Sequence, residues 1–228
     1  MFEIRNLYGG WGATTVIEDV SLFVAPGETV SVIGRNGVGK STLLELVVGR
    51  AHRHQGSIVI NDKDVSVLPI HERVKCGLGY VPQRREVFPS LTVKEHFAIA
   101  VRPGFWTEEA IFAIFPSLAD RRHALGRHLS GGEQQMLAIA RALLTNPKLI
   151  AMDEPSEGLA PVVVDQLIEA IQRLGKNGLA ILLIEQSLEV AFSLSNRVVI
   201  MDRGRIVHEG TSNQLRGDPK LLSELMGL

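Results

Sequence analysis

The chain has 228 residues, 45% of them hydrophobic, and its 24 basic side chains nearly cancel 25 acidic ones. That length holds one or two domains with a full core, and the balanced charge excludes a nucleic-acid binder driven by bulk charge. Cys76 is the only cysteine, which excludes an intrachain disulfide and a cysteine-rich metal centre and fits a reducing compartment.

In chain order, Met1-Phe2-Glu3-Ile4-Arg5 has no signal-peptide pattern. Residues 1 to about 80 are strand-rich, with turn signals at Gly9-Gly10, Pro26-Gly27, Gly56 and Asn61-Asp62. Glu3-Ile4-Arg5 and Val20 to Val24 alternate at period two, as half-buried antiparallel strands do. Thr29 to Ile33 is a β-rich run, and Thr42 to Val48 is a helical run closed by Gly49. From about Arg84 to His128 the strand signals stop. Five of eight phenylalanines (Phe88, Phe97, Phe105, Phe112, Phe115) gather there with Trp106. Most are expected to fill the core of a small helical lobe, with Phe88, beside Pro89, left exposed. After Ser130 helices alternate with buried strands. Leu149 to Met152 and Ala180 to Ile184 have the continuous apolar character of parallel strands covered on both faces. Between them Val164, Leu167, Ile168, Ile171 and Leu174 form one helical stripe, opened by Pro161 and expected to stop at Gly175.

The longest apolar runs, such as Leu179 to Ile184, are six residues. A membrane helix needs about 18, so a soluble protein of the cell interior is expected. The seven histidines have no metal-ligand spacing and are expected at the surface, and Cys76 is read as a small buried hydrophobe.

Three segments carry chemistry. Gly34-Arg35-Asn36-Gly37-Val38-Gly39-Lys40-Ser41 fits the phosphate-loop pattern G-x-x-x-x-G-K-[ST], between a strand and a helix that continues through Thr42. Glycines let successive backbone N–H groups turn inward on the β- and γ-phosphates, Lys40 adds a full positive charge, and the Ser41 hydroxyl can hold Mg²⁺. Asp153-Glu154-Pro155 follows a buried strand. There Asp153 can hold the metal directly or through water, and Glu154 can orient and deprotonate an attacking water. Leu129-Ser130-Gly131-Gly132-Glu133-Gln134-Gln135 places Ser130 as N-cap with Glu133 three residues later, a capping box. Its two glycines form a helix start that can also receive a phosphate. Two phosphate receptors in one chain suggest an ATPase that works as a pair.

With these motifs the chain resembles, essentially end to end, the nucleotide-binding subunits of ABC transporters. The resemblance implies an α/β P-loop NTPase core of the ABC ATPase type, with an N-terminal antiparallel β subdomain and an inserted helical subdomain. Residues 1–228 would form one domain, with about 1–83 and 129–228 as the core and about 84–128 as the insertion. It implies ATP and Mg²⁺ as cofactors. Trp11, 23 residues before Gly34, stands where the family places an aromatic that stacks on adenine. Gln83, in Tyr80-Val81-Pro82-Gln83, matches a glutamine that touches Mg²⁺ and the water. Ser130, Gly131, Gly132 and Glu133 match the signature that closes over the partner's nucleotide. Two positions depart from the commonest pattern. Ala160 stands where many members have Asp, and Gln186, in Ile184-Glu185-Gln186, replaces the usual switch histidine. A glutamine can hydrogen-bond the γ-phosphate but cannot carry a proton, which favours Glu154 as the base.

Ser156-Glu157-Gly158-Leu159-Ala160-Pro161 with Ile184-Glu185-Gln186 is similar to one branch, the ATPases of branched-chain (hydrophobic) amino-acid importers. Urea/amide-type importers are the close alternative, and a soluble non-transport ABC ATPase is the further one. The resemblance implies a second ATPase subunit, a related chain or a second copy. It also implies transmembrane permease subunits and, indirectly, an extracytoplasmic solute-binding protein. The location would be the cytoplasmic face of the membrane.

Overall fold

A computed structural model describes residues 1–226. The first half runs β1 (Phe2–Trp11), β2 (Thr14–Val24), β3 (Thr29–Ile33), α1 (Lys40–Val48), β4 (His52–Ile60), β5 (Lys63–Asp64), α2 (Ile70–Lys75) and β6 (Leu78–Val81). Then come α3 (Val93–Ala100), α4 (Glu108–Ile114), α5 (Pro116–Asp120), a 3₁₀ turn at Gly126–His128, and α6 (Gly131–Leu144). The last part is β7 (Leu149–Asp153), α7 (Pro161–Lys176), β8 (Ala180–Ile184), α8 (Leu188–Leu194), β9 (Arg197–Asp202), β10 (Arg205–Thr211), α9 (Ser212–Arg216) and α10 (Pro219–Met226).

Two sheets organise the chain. One is antiparallel in the order β2-β1-β4-β5, and the other runs β10-β9-β3-β8-β7-β6, parallel except for the β10 edge. Helix α1 is packed between them. Leu43, Leu46 and Val47 share one core with Phe2, Ile4 and Leu7 of β1 and Leu182 and Ile184 of β8. A second core joins α6 and α7 to the other face of the parallel sheet and extends to Phe97, Trp106 and Phe115. This layering, with strands buried on both faces, puts the ends of β3, β7 and β8 on one edge.

Several sequence expectations meet a different local structure. Gly9 and Gly10 lie inside β1 rather than in a turn. A Cβ on Gly9 would come within 2.6 Å of the His52 carbonyl and of Leu46 on α1, so this glycine permits close packing of strand on helix. Gly56 also lies within a strand, β4, with φ 83°, where the pairing with β1 shifts register between Arg5 and Tyr8. Asn61 and Asp62 do form the expected tight turn, both at positive φ. Helix α7 passes through Gly175 to Lys176, and the left-handed residue that follows it is Gly178. At Gly175 an added Cβ would lie 3.4 Å from the Gly27 carbonyl oxygen, an ordinary contact, so the helix continues through it without a steric demand for glycine.

In the 84–128 segment Phe97, Trp106 and Phe115 are buried, and Phe88 is exposed. Phe105 is exposed too, edge-on to Trp106. His96 contradicts the surface expectation for the histidines: it is fully buried. Its Nδ1 donates to the Thr92 carbonyl and its Nε2 accepts from the Phe88 N–H, so both ring nitrogens are satisfied without charge. Cys76 is half-buried at the end of α2. Among the described residues no helix is long and apolar enough to cross a membrane.

Candidate active site

The loop between β3 and α1 turns through Gly34, Gly37 and Gly39, all at positive φ. Gly34 is the tightest case, since a Cβ there would run into the Met201 carbonyl oxygen, and Gly39 is constrained as well. Gly39 combines φ 110° with Ile17 of β2 only 3.0 Å from where a Cβ would stand, so the loop both needs the left-handed backbone and packs on the antiparallel sheet. Helix α1 starts from Gly39 with no side-chain cap, which leaves first-turn N–H groups to an anion. Lys40 is buried, and its Nζ donates to the Gly34 carbonyl at 2.8 Å and the Arg35 carbonyl at 3.1 Å. Burial holds its pKa below the ordinary lysine value, opposed by the attraction of Glu154 and Asp153. Val38 is buried, while Arg35, Asn36, Gly37 and Ser41 are exposed and Thr42 is partly so.

Opposite this loop lies a cluster of carboxylates. Ser41 Oγ donates to Asp153 Oδ1 at 3.3 Å, which joins the first turn of α1 to the end of β7. Burial, and then the neighbouring Glu154, push the Asp153 carboxyl up to about 6. Glu154 is itself buried and takes a left-handed backbone (φ 46°), its N–H held by the Ile184 carbonyl at 2.9 Å. A non-glycine residue in that conformation is costly, and it is kept here by pairing with β8. The Glu154 carboxylate accepts from Gln83 Nε2 at 3.2 Å and from Gln186 Nε2 at 3.3 and 3.4 Å. Thus Gln83, Glu154 and Gln186, widely spaced in sequence, meet at one point. Gln83 Nε2 also donates to Glu157 at 2.7 Å, and its hydrogen bonds go to Glu154 and Glu157 rather than to Ser41 or Asp153.

Three further residues brace the elements that carry the site. Glu185 is buried, accepts from the Ser156 N–H at 3.3 Å and hydroxyl at 2.9 Å, and is pushed up to about 7 by burial. It fastens the loop after Glu154 to the end of β8. Arg85 donates to Gln135 of α6 at 3.1 Å and to the Glu157 carbonyl at 3.3 Å, and thereby ties the segment after Gln83 to both. Arg73 of α2 is buried and donates to the Leu46 and Val47 carbonyls at the end of α1, at 2.7 and 2.8 Å. Arg73 stands among His71, Glu72 and Lys75 in sequence, so no local signal separates this buried arginine from a surface charge. For Glu185, its place beside Gln186 was available.

Ser130 caps α6, and its capping box with Glu133 is complete. Gly131 lies against Arg85, and Gly132 would put a Cβ 2.6 Å from Val163 of α7. Among the described residues no hydrogen bond or ion pair joins Ser130–Glu133 to residues 34–42. Trp11 ends β1 and is half exposed at the β1–β2 hairpin, whose Val16 and Ile17 touch Gly39.

A phosphate loop opening a helix between two sheets, with an acidic pair at the end of a neighbouring parallel strand, defines a P-loop nucleotide-binding fold. Residues 17–157 match the ABC transporter family. Over 225 residues, 95% of each chain, the sequence is 38% identical to the high-affinity branched-chain amino acid transport ATP-binding protein BraG of Pseudomonas aeruginosa. It is 33% identical over 231 residues to the lipopolysaccharide export system ATP-binding protein LptB of Escherichia coli K12, covering 98% of this chain and 95% of that one. Among solved structures, the ADP conformation of an ATP-binding cassette of an ABC transporter superposes with a TM-score of 0.84 at 26% identity, covering 100% of this chain and 99% of the other. The chain therefore belongs to the ABC transporter ATP-binding family and is an ATPase of that type.

Proposed function

We propose that this chain hydrolyses Mg-ATP in a two-subunit clamp to drive a membrane importer of branched-chain or hydrophobic amino acids. The observation that carries the hydrolytic assignment is the Glu154 carboxylate, held by the Gln83 and Gln186 amides at the end of β7. In this reading the residue 34–42 loop binds the phosphates. Lys40 leaves the Gly34 and Arg35 carbonyls for the β- and γ-phosphate oxygens. Glu154 takes the proton of the attacking water, which Gln83 and Gln186 orient. Gln186 cannot take the proton itself, since an amide does not titrate in this range.

Ser41 and Asp153 offer hard oxygen donors 3.3 Å apart, and the buried Asp153 carboxyl would regain its charge beside a cation, so the pair fits Mg²⁺. When bound, that ion would neutralise phosphate charge. Trp11 would stack on the base. Ser130, Gly131, Gly132 and Glu133 would complete the site of a second ATPase subunit, because the α6 start makes no polar link to its own phosphate loop. Loss of the γ-phosphate would remove the charge that joins the halves. Residues 84–128 would act as an inserted lobe facing permease subunits at the cytoplasmic face of the membrane, with an extracytoplasmic solute-binding protein beyond them.

The amino-acid assignment is supported by the similarity to BraG and by Ser156 to Pro161 with Ile184-Glu185-Gln186. A lipopolysaccharide-export reading is favoured by the LptB relatives, which match nearly the whole chain. Uptake of labelled leucine, isoleucine and valine in a strain lacking this chain separates the two. Loss of uptake with intact envelope lipid supports the importer. Normal uptake with a lipid export defect overturns it.

A further inference from the structure

The hairpin that carries Trp11 is fixed at its tip by two histidines of β4. The connection between β1 and β2 is only Gly12-Ala13, with Gly12 at φ 59°. Both backbone polar groups of Gly12 are taken by side chains from the third strand. Its N–H donates to His52 Nδ1 at 3.4 Å, and its carbonyl accepts from His54 Nε2 at 2.9 Å. The other ring nitrogen of His54 lies 3.1 Å from the Thr15 hydroxyl, on the opposite side of the turn. His54 donates from Nε2 to the Gly12 carbonyl and His52 accepts at Nδ1, while the Thr15 hydroxyl can either donate to or accept from His54 Nδ1. The rest of the hairpin is already locked to the phosphate loop. Gly9 packs without a side chain on Leu46 of α1, and Val16 and Ile17 sit against Gly39. The residue between the braced stem and the clamped tip is Trp11, half exposed.

We propose that His52 and His54 are positioning residues that set the Trp11 ring at a fixed distance from the phosphate loop and thereby tune affinity for the nucleobase part of the nucleotide. This rests on the reading of Trp11 as the base platform. The two histidines touch the hairpin turn and not the phosphate loop, so their effect is confined to ligands that carry a base. Each clamp bond is a solvent-exposed hydrogen bond, so losing one weakens base binding modestly, by about 2- to 10-fold. Losing the aromatic face itself costs more, about 5-fold or above.

The test uses the full chain, with ATP and inorganic tripolyphosphate as paired ligands in titration calorimetry. His54→Ala and the double variant His52→Ala/His54→Ala are expected to lower ATP affinity by about 2- to 10-fold, with tripolyphosphate affinity unchanged. His54→Gln keeps a donor for the Gly12 carbonyl and is expected to recover most of the loss. Trp11→Ala is run in parallel and should show the same selective loss, larger in size. If Trp11→Ala weakens ATP binding and the histidine variants do not, the positioning role is overturned while the platform stands. Equal weakening of ATP and tripolyphosphate in the histidine variants overturns it too, because the effect then passes through the phosphate loop. If Trp11→Ala leaves ATP affinity intact, the platform reading falls, and the positioning role falls with it.

Discussion

The Gln186 amide nitrogen lies 3.3 and 3.4 Å from the two oxygens of Glu154, so the residue at the switch position holds the carboxylate rather than standing free. With Gln83 on the other side, one carboxylate has two neutral donors and a buried lysine nearby. Both donors are neutral amides, so the carboxylate is oriented by hydrogen bonds rather than by a formal ion pair. Glu154→Gln keeps the shape and removes the proposed base, so hydrolysis should fall by about 10²-fold or more while ATP binding survives. Steady-state phosphate release and nucleotide binding on the same preparation check this. Near-wild-type turnover would pass the role of base to another residue.

Lys40→Ala removes the charge that the loop carbonyls hold in reserve. A preorganised charge contact of this kind contributes about 2–4 kcal/mol, so ATP affinity should collapse while the chain still folds. Calorimetric titration gives the affinity, and undiminished binding would reject the phosphate-loop assignment.

Arg73 donates to carbonyls of α1 and also to those of Leu68 and Ser66, at 2.8 and 3.1 Å. Arg73→Met fills much of the volume but leaves these buried acceptors unmatched. At about 1–3 kcal/mol for an orphaned buried group, the expected loss of unfolding free energy is at least about 2 kcal/mol, measured by urea denaturation. A loss within experimental error would mean that water replaces the guanidinium.

Glu185 makes stability depend on pH. Burial raises its carboxyl from the ordinary 4.5 to about 7, so the folded chain holds more protons than the unfolded chain across that window. Stability contributed by the neutral form is therefore lost as pH rises from about 4.5 through 7. Glu185→Gln removes this one titration. The difference in melting temperature, variant minus wild type, should grow in the variant's favour from pH 5 to 8. A constant difference would show that Glu185 titrates normally.

Local signals made much of this molecule legible. Thr29–Ile33 and Ala180–Ile184 are strands at the expected limits, and Gly49 does close α1 in a left-handed conformation. These depend on neighbours in sequence. The misread strand glycines depend on neighbours in space. Gly9 answers to Leu46 on α1 and Gly56 to the β1 backbone at Arg5 and Asn6, neither of which a local turn rule can see. His96 was misplaced for the same reason, since its partners Phe88 and Thr92 become a polar cage only once the loop before α3 folds back. The site residues stood in recognisable strand–loop contexts. The Glu185–Ser156 bond crosses 29 positions, and no spacing rule announces it.

In the proposed clamp, hydrolysis needs the phosphate loop of one chain and the Ser130–Gly132 helix start of another. Ser130→Trp should bind ATP yet fail to hydrolyse it, and Lys40→Ala should be inactive for lack of binding. Phosphate release from a mixture of these two variants, each inactive alone, tests the claim most directly in the homodimeric arrangement. A mixed pair holds one composite site made from the intact loop of the first chain and the intact helix start of the second. Mixing should therefore restore activity, rising with total protein concentration as a second-order assembly requires. A Ser130→Trp chain that hydrolyses ATP alone at the wild-type rate, or a mixture that stays at the level of its inactive components while wild-type chains at equal concentration turn over, would contradict it.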